Sequence, residues 1–183
     1  MPAKGYTLEE LETEQETHAK GRPRVNIPLP RLIVDTREQL PLTFNHLEAV
    51  RDTLTTGDYS IDGLQSRFAV ERKSVQDLIG SLTQGRERFF RELERMRGME
   101  FARLLIIGRP IDLVACLNRR AVTAASIIGS LEAINARMVP VVWAATPAKA
   151  AQMVERWACY FYAGAAKPWG KVAIPAWCRD GAI

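Results

Sequence analysis

Two short segments carry charged side chains at spacings that predict a site for a divalent cation. Glu71 stands two positions before Lys73, and Asp58 lies one short segment upstream. Alternate residues of a strand project to the same face, so Glu71 and Lys73 are expected to point together. The dipeptide Asp62-Gly63 favours a hairpin turn that would bring Asp58 beside them. Carboxylate oxygens suit Mg²⁺ or Mn²⁺, and such an ion supports phosphodiester hydrolysis.

A third carboxylate, Asp35, ends the apolar run 32–34. More charge follows at Arg37 and Glu38, which is typical of a buried strand that emerges at a functional site. An isolated aspartate, glutamate and lysine near a hairpin usually belong to a solvated surface with ion pairs. Two separate strand ends that both deliver carboxylates favour a functional site instead.

The chain resembles the XPF family of structure-specific endonucleases in three motifs that occur here in the same order. The V-D-x-R-E motif of the family matches residues 34–38, its G-D-Y/F matches 57–59, and its V-E-R-K-x-x-x-D matches 70–77. Residues 88–93 are similar to the R-L-x-x-Q-L helix of the family, but Glu92 stands where glutamine is usual. The approach to this helix is also longer here. The resemblance spans residues 31–163.

Strands that alternate with helices after an initial meander predict a mixed sheet covered on both faces. The XPF resemblance implies the same α/β fold, a restriction-endonuclease-like three-layer core with a central mixed β-sheet flanked by helices. It also implies a metal-dependent endonuclease, with Mg²⁺ or Mn²⁺ as cofactor, that cuts DNA near flaps, forks or other branches. Two alternatives stay open: a non-catalytic DNA-binding or scaffold subunit, and an exonuclease or Holliday-junction resolvase-like nuclease. Decayed subunits lose the G-D or E-R-K residues, and this chain keeps all of them.

Four residues are assigned catalytic or metal-binding roles. Asp58 and Glu71 are the predicted metal ligands, and Asp35 is the third carboxylate, bound directly or through water. Lys73 is expected to orient or deprotonate the attacking water, or to stabilise charge on the pentacovalent phosphorus. Gly57 supplies a backbone turn beside Asp58.

Arginines are the predicted contacts to DNA. Arg37 and Arg72 can hold phosphate oxygens bidentately, although an ion pair with Glu38 or Asp77 explains Arg72 equally well. Asp77 stands in the first turn of a helix, where it can also satisfy free amide groups. Glu38 and Asp77 are therefore supporting residues. One helix stripe adds three further candidates: Arg88, Arg91 and Arg95.

Charge is distributed unevenly along the 183 residues, whose formal net charge is +4. Residues 9–16 are acidic without any base, whereas residues 86–109 are rich in arginine, which suits a phosphate backbone as partner. The three cysteines form no C-x-x-C pair and indicate neither a disulfide framework nor a zinc site. No apolar run approaches the ~20 residues of a membrane span, and no signal peptide is evident, so we expect a cytoplasmic, reducing location.

Three regions are expected: an acidic segment with a proline-rich linker (1–30), a nuclease domain (31–163) and a tail (164–183). The tail contains Trp169 and Trp177, which are expected to fold back onto the core in preference to stacking on bases or contacting a partner. The expected strands are 31–35, 50–61, 67–73, 101–107 and 139–144. The expected helices are 7–19, 74–82, 86–97, 111–121, 124–138 and 147–162.

The helix at 147–162 carries more large apolar side chains than one buried stripe accommodates, so it is either covered by the tail or presents a second face to a partner. XPF-type nuclease domains pair through their last two helices, here 124–138 and 147–162. We therefore expect a homodimer, or pairing with a nuclease partner subunit. Many members of the family carry a helix-hairpin-helix domain after the nuclease domain, but here we expect a stand-alone module of bacterial or phage type. The apolar residues of 147–162 are Met153, Val154, Trp157, Tyr160, Phe161 and Tyr162.

Overall fold

The computed structural model describes residues 28–117, 123–166 and 174–179. The acidic helix predicted at 7–19, most of the proline-rich linker and Trp169 lie outside these residues. Within the described ranges, no helix is both long and apolar enough to cross a membrane.

A single mixed sheet of six strands lies at the centre of the fold, as predicted. The strands are β1 (Leu32–Asp35), β2 (Ala49–Asp52), β3 (Tyr59–Ile61), β4 (Phe68–Ser74), β5 (Phe101–Ile107) and β6 (Val141–Ala144). Their order across the sheet is β2-β1-β3-β4-β5-β6. The pairs β1–β2, β4–β5 and β5–β6 are parallel, whereas β3 is antiparallel to both of its neighbours.

Helices cover both faces of this sheet. They are α1 (Val75–Leu82), α2 (Arg86–Arg97), α3 (Pro110–Leu117), α4 (Ala124–Arg137), α5 (Pro147–Ala166) and the short α6 (Ala176–Arg179). Side chains of α1 to α4 pack with Ala69 in one apolar cluster, whereas α5 packs with Val70 in another. Successive strand residues project to opposite faces, so these clusters lie on the two sides of the sheet. The predicted three-layer arrangement is confirmed.

The two segments that carry the candidate site form the expected hairpin. Tyr59 of β3 pairs with Val70 of β4, and Gly63 turns the connecting loop with a φ of 78°. After β4, the hydroxyl oxygen of Ser74 accepts a hydrogen bond from the amide of Asp77 at 3.1 Å, which caps α1 and ends the strand. The chain therefore leaves the sheet after Ser74, one residue beyond Lys73.

Several element boundaries differ from the sequence expectations. The strand predicted at 50–61 is two strands, because residues 53–58 leave β2 and turn before β3. Strand β6 begins at Val141, and the helix predicted at 111–121 is seen as Pro110–Leu117, with 118–121 outside the described residues. Ile128 of α4 lies outside the core although its neighbour Ile127 is buried, because 42% of Ile128 is exposed. Helix α5 continues beyond the predicted end at 162.

The second apolar face of α5 is mostly covered within the chain. Trp157 and Phe161 pack against the cluster beneath α5, and Tyr160 is the large apolar residue of this helix that stays exposed, at 48%. Part of the tail folds back, as expected: Trp177 stacks on His46 with ring centroids 4.2 Å apart, and Cys178 is fully buried. Cys178, like the other two cysteines, is a free thiol.

Candidate active site

Gly57 positions Asp58 between two strands. Its φ of 76° is unfavourable for residues with a side chain, and a Cβ there would lie 3.2 Å from the Cβ of Ala69. The Asp58 carbonyl accepts a hydrogen bond from the amide of Asp35 (2.8 Å), and the Asp58 amide donates to the carbonyl of Val70 (2.9 Å). The backbone of Asp58 is thus bound to the strand ends on both sides.

The carboxylate of Asp58 is directed toward β4. Its Oδ2 accepts a hydrogen bond from the backbone amide of Arg72 at 2.7 Å. On the same strand, Nζ of Lys73 lies 2.6 Å from Oε1 of Glu71, as the two-residue spacing predicted. Glu71 is 2% exposed, so this ion pair is shielded from water. Glu71 is therefore buried and paired with Lys73, and the half-buried Asp58 lies close enough for its charge to act on both.

Burial and mutual repulsion work against ionisation of the two carboxylates. Burial raises the pKa of both Asp58 and Glu71. The negative charge of Asp58 raises the pKa of Glu71 further. Lys73 supplies one positive charge for the pair. Two neighbouring carboxylates are costly to ionise together, but their ionised forms become favourable once a cation lies between them. Carboxylate oxygens also suit a hard divalent ion. The donor set of Asp58 and Glu71 fits Mg²⁺ or Mn²⁺.

Lys73 is held in its charged form. Burial lowers the pKa of its ammonium, but the charge and hydrogen bond of Glu71 outweigh that effect and the net shift is upward. Nζ also lies 5.5 Å from the ring centroid of Phe89 on α2, within the range of a cation–π contact. A protonated lysine donates hydrogen bonds and stabilises negative charge, which favours these two roles over deprotonation of water.

Asp35 does not join this group as a third ligand. Both of its oxygens are engaged, since Oδ1 accepts from Nε of Arg37 (2.7 Å) and Oδ2 accepts from the amide of Leu54 (2.7 Å). Among the described residues, no three acidic, histidine or cysteine side chains come close enough to hold one metal ion. The described structure therefore does not bring the three carboxylates together, and the role of Asp35 at the metal, direct or through water, stays a prediction.

The two arginines of the motifs are engaged in ion pairs. Arg37 directs Nε and Nη2 to Asp35, although 67% of its side chain is exposed. Arg72 binds Glu38 through Nε (2.9 Å) and Nη2 (3.0 Å), which is the ion pair that the sequence left as an alternative. These contacts occupy the guanidinium edges that a bidentate phosphate would need. Phosphate binding by either arginine stays a prediction.

The remaining predicted residues lie on the helices after β4. Asp77 accepts a hydrogen bond from the hydroxyl of Ser74 at 2.7 Å and so belongs to the cap of α1. The three arginines predicted to bind DNA are all exposed on α2: Arg88, Arg91 and Arg95. Arg91 has a long ion-pair distance of 3.8 Å to Glu87, and both side chains are largely exposed, so this pair restrains it little.

Glu92 is a further candidate for a functional residue, although the sequence alone predicted no role for it. Its charge adds to burial in raising the pKa of Asp58 and of Glu71, and it also acts on Lys73, so α2 brings a further carboxylate to the group. The contact of Lys73 with Phe89, one turn earlier on α2, shows how the helix approaches. The available sequence signal was the replacement of the family's usual glutamine by Glu92.

Comparisons with known proteins agree with this arrangement. A family model described as the ERCC4 domain matches residues 34–156. The DNA repair endonuclease XPF of Drosophila melanogaster is 29% identical over 159 residues, which are 79% of this chain and 16% of the relative. The chain thus spans about one sixth of that relative's length.

Solved structures show the same fold. XPF from Aeropyrum pernix superposes with a TM-score of 0.61 at 21% identity, covering 80% of this chain and 68% of the other. A structure described as the same protein in complex with DNA gives a TM-score of 0.57 at 22% identity, with 73% and 64% covered. At these identities the likeness concerns the fold.

Proposed function

Because this chain belongs to the ERCC4 domain family and carries an XPF-type nuclease domain, we propose that it is a Mg²⁺- or Mn²⁺-dependent endonuclease that cuts DNA beside branches such as flaps and forks. One observation supports the catalytic part most directly. Asp58 and Glu71 are neighbouring carboxylates, half-buried and buried respectively, and Lys73 forms an ion pair with Glu71. A pair of this kind is costly in a protein that only scaffolds DNA, and it is useful where a cation binds.

Each residue of the candidate active site has a separate role in the proposed reaction. Asp58 and Glu71 would hold the divalent ion, which when bound supplies Lewis acidity to a phosphate oxygen and to water. Lys73 donates a hydrogen bond at the reacting phosphate and stabilises the charge that develops there. The amide of Arg72 fixes the orientation of Asp58, and Glu38 fixes the side chain of Arg72. One oxygen of each carboxylate and the nitrogen of Lys73 are thus held by a second residue before substrate arrives.

DNA would reach this site along the exposed arginines of α2. Arg88, Arg91 and Arg95 lie on the same helix as Phe89, which contacts Lys73. Exposed arginines bind phosphates without reading sequence, and each such contact makes the affinity more sensitive to salt. This suits an enzyme that selects the shape of DNA.

Pairing of two chains is part of the proposal. Exposed aliphatic side chains lie on α3 and α4, which pack against each other: Ile111 (62%), Val114 (36%) and Ile128 (42%). The apolar face of α5 is mostly covered, so the homodimer contact is placed on α4 with α3 instead of on α5. One subunit would grip duplex while the other cuts beside the branch.

The proposal is tested with a panel of labelled flap, fork, four-way-junction and linear DNAs, incubated with Mg²⁺, Mn²⁺ or EDTA. We expect metal-dependent cleavage of flaps and forks that exceeds cleavage of linear duplex. Undiminished activity in EDTA would remove the metal assignment. Binding without cleavage in either metal would favour the scaffold subunit, and preferred cutting of four-way junctions would favour a resolvase.

A further inference from the structure

Two clefts adjoin one another beside the candidate active site. The first, of about 690 Å³, is lined by Arg72, by the loop 39–45 and by Pro147 and Ala148 at the start of α5. The second, of about 290 Å³, is lined by His46, Trp177 and one side of α5. Asn45 of the first lining is followed by His46 of the second, and Ala148 is followed by Lys149 in the same way. The clefts therefore lie next to each other along the same loop and the same helix, and we treat them as two parts of one path that begins at Arg72.

One wall of this path is fixed by a buried carboxylate. Oε1 of Glu155 on α5 accepts hydrogen bonds from three consecutive amides, those of Asn45 (3.0 Å), His46 (2.6 Å) and Leu47 (3.0 Å). Glu155 is 1% exposed, so the loop is bound to α5 through a contact shielded from solvent. The imidazole of His46 is consequently held over the helix, where Trp177 stacks on it.

The lining of the first cleft is mainly apolar, whereas the second cleft is lined by aromatic and cationic side chains. The rings of His46 and Trp177 are nearly parallel, at 10°, and Lys149 and Arg156 of α5 line the same cleft. Parallel rings next to cationic side chains are the combination by which proteins hold single-stranded nucleic acid, since bases stack and phosphates pair with the cations. In a duplex the bases stack on each other, so an unpaired strand is the form whose base faces are available.

We infer that this path, from Arg72 along the 39–46 loop and α5 to the His46–Trp177 pair, binds the single-stranded arm of a branched DNA. The inference rests on the proposed nuclease function and adds to it the site that recognises the unpaired strand. Trp177 lies beyond the residues 34–156 that the family model matches, whereas His46 lies within them. Helix α5 rises ~13 Å between Pro147 and Arg156, at 1.5 Å per residue. That length corresponds to about four nucleotides in a strand that keeps the 3.4 Å rise of a stacked helix, which is the upper limit, since an extended strand needs fewer.

The test compares two DNAs, a blunt duplex and the same duplex with a single-stranded arm of about eight nucleotides, twice the length of the path. Binding is measured by fluorescence anisotropy in EDTA, so that cleavage does not interfere. Trp177→Ala removes the stacking platform, and Lys149→Glu reverses a charge of the path without removing a packed ring. The matched controls are Tyr160→Ala, an exposed aromatic elsewhere on α5, and Arg137→Glu, an exposed cation on α4.

We expect both path variants to lose affinity for the armed duplex by at least about fivefold, the low end for loss of one stacked base, with unchanged affinity for the blunt duplex. Both controls should match the wild type. The loss should disappear when the arm is shorter than about four nucleotides. A 2-aminopurine placed in the arm should be quenched by the wild type and not by Trp177→Ala.

Equal losses on both DNAs would mean that the substitutions act through folding or general charge, and they would overturn the inference. Unchanged binding by both variants would overturn it as well, while cleavage of flaps by the same preparations would leave the proposed nuclease function standing. A wild type that neither binds nor cuts any of the DNAs would remove both.

Discussion

Arg37 binds Asp35, two residues before it in the chain, through Nε at 2.7 Å and Nη2 at 2.9 Å. The same Nη2 donates to the carbonyl of Leu54 (2.6 Å), and the amide of Leu54 donates to Asp35 (2.7 Å). These contacts tie the end of β1 to the loop that leads into Gly57 and Asp58. Through these hydrogen bonds, Asp35 and Arg37 stabilise the loop that positions the predicted metal ligand, Asp58.

From the contact between Asp35 and Arg37 we predict how the stability of the protein depends on pH. The hydrogen bond from Arg37 is the main cause that lowers the pKa of Asp35 to about 2. Because the folded protein favours the ionised form, this stabilisation is complete above the ordinary pKa near 4 and is lost as the pH falls toward 2. Asp35→Asn should lower the free energy of unfolding by about 2 kcal/mol at neutral pH, measured by urea denaturation.

The difference between Asp35→Asn and the wild type should shrink as the pH falls through that window. Asp112→Asn is the matched control, since Asp112 pairs with Arg109 at an exposed position and its loss should change stability little. A stability difference that is independent of pH would show that the Asp35 charge does not brace the loop.

We expect substitutions of Asp58 and Glu71 to have opposite effects on stability and on activity. The pKa values of Asp58 and Glu71 are raised, so their ionised forms destabilise the metal-free protein at neutral pH. Asp58→Asn and Glu71→Gln should therefore raise the melting temperature without metal, while cleavage falls by about 10²-fold or more. Mg²⁺ or Mn²⁺ should raise the melting temperature of the wild type alone.

The control for this experiment is Glu132→Gln, which neutralises an exposed carboxylate on α4. It should keep both activity and the response to metal. Since protons compete with the ion for raised-pKa carboxylates, the metal-induced stabilisation of the wild type should weaken as the pH falls. Metal-induced stabilisation that persists in Glu71→Gln would argue against this residue as a ligand.

Lys73 should contribute mainly to turnover. Lys73→Ala removes the ammonium that stabilises developing charge, so kcat should fall while the response to metal and the affinity for DNA stay near wild type. Single-turnover cleavage and DNA binding, measured on the same preparation, separate these effects. Normal turnover with weakened binding would make Lys73 a phosphate contact only.

Glu92 should strengthen metal binding through its charge. Glu92→Gln restores the residue that is usual in the family and removes one negative charge near Asp58 and Glu71. We expect the apparent affinity for Mg²⁺ to fall about fivefold, consistent with ~1 kcal/mol between partly solvated charges, with kcat at saturating metal retained. Glu94→Gln, on the exposed side of α2, should leave both unchanged. A loss of kcat at saturating metal would contradict a purely electrostatic role.

The homodimer prediction depends on the exposed aliphatic residues of α3 and α4. Ile128→Glu places a charge among them and should shift the protein toward monomer in sedimentation experiments at micromolar concentration. Tyr160→Glu on α5 is the comparison and should leave assembly unchanged, because that face is not the proposed contact. A wild type that sediments as a monomer, with and without branched DNA, would contradict the dimer.

The sequence alone determined the parts of this protein that depend on local spacing. The pairing of Glu71 with Lys73 follows from the two-residue period of a strand, and the approach of Asp58 follows from a hairpin closed by Gly63. The bounds of α2 likewise follow from helical periodicity within one segment. Such features need only the neighbouring residues, so they were predicted correctly.

Only the tertiary structure decided which partners the polar side chains take. Asp35 bonds to Leu54 rather than joining the carboxylate pair, and Glu155 holds amides 108 to 110 positions away in the chain. Glu92 reaches the site because α2 packs over Lys73 through Phe89. A carboxylate can satisfy its oxygens with many donors, and the choice among them is made by packing between distant segments, which no local pattern records.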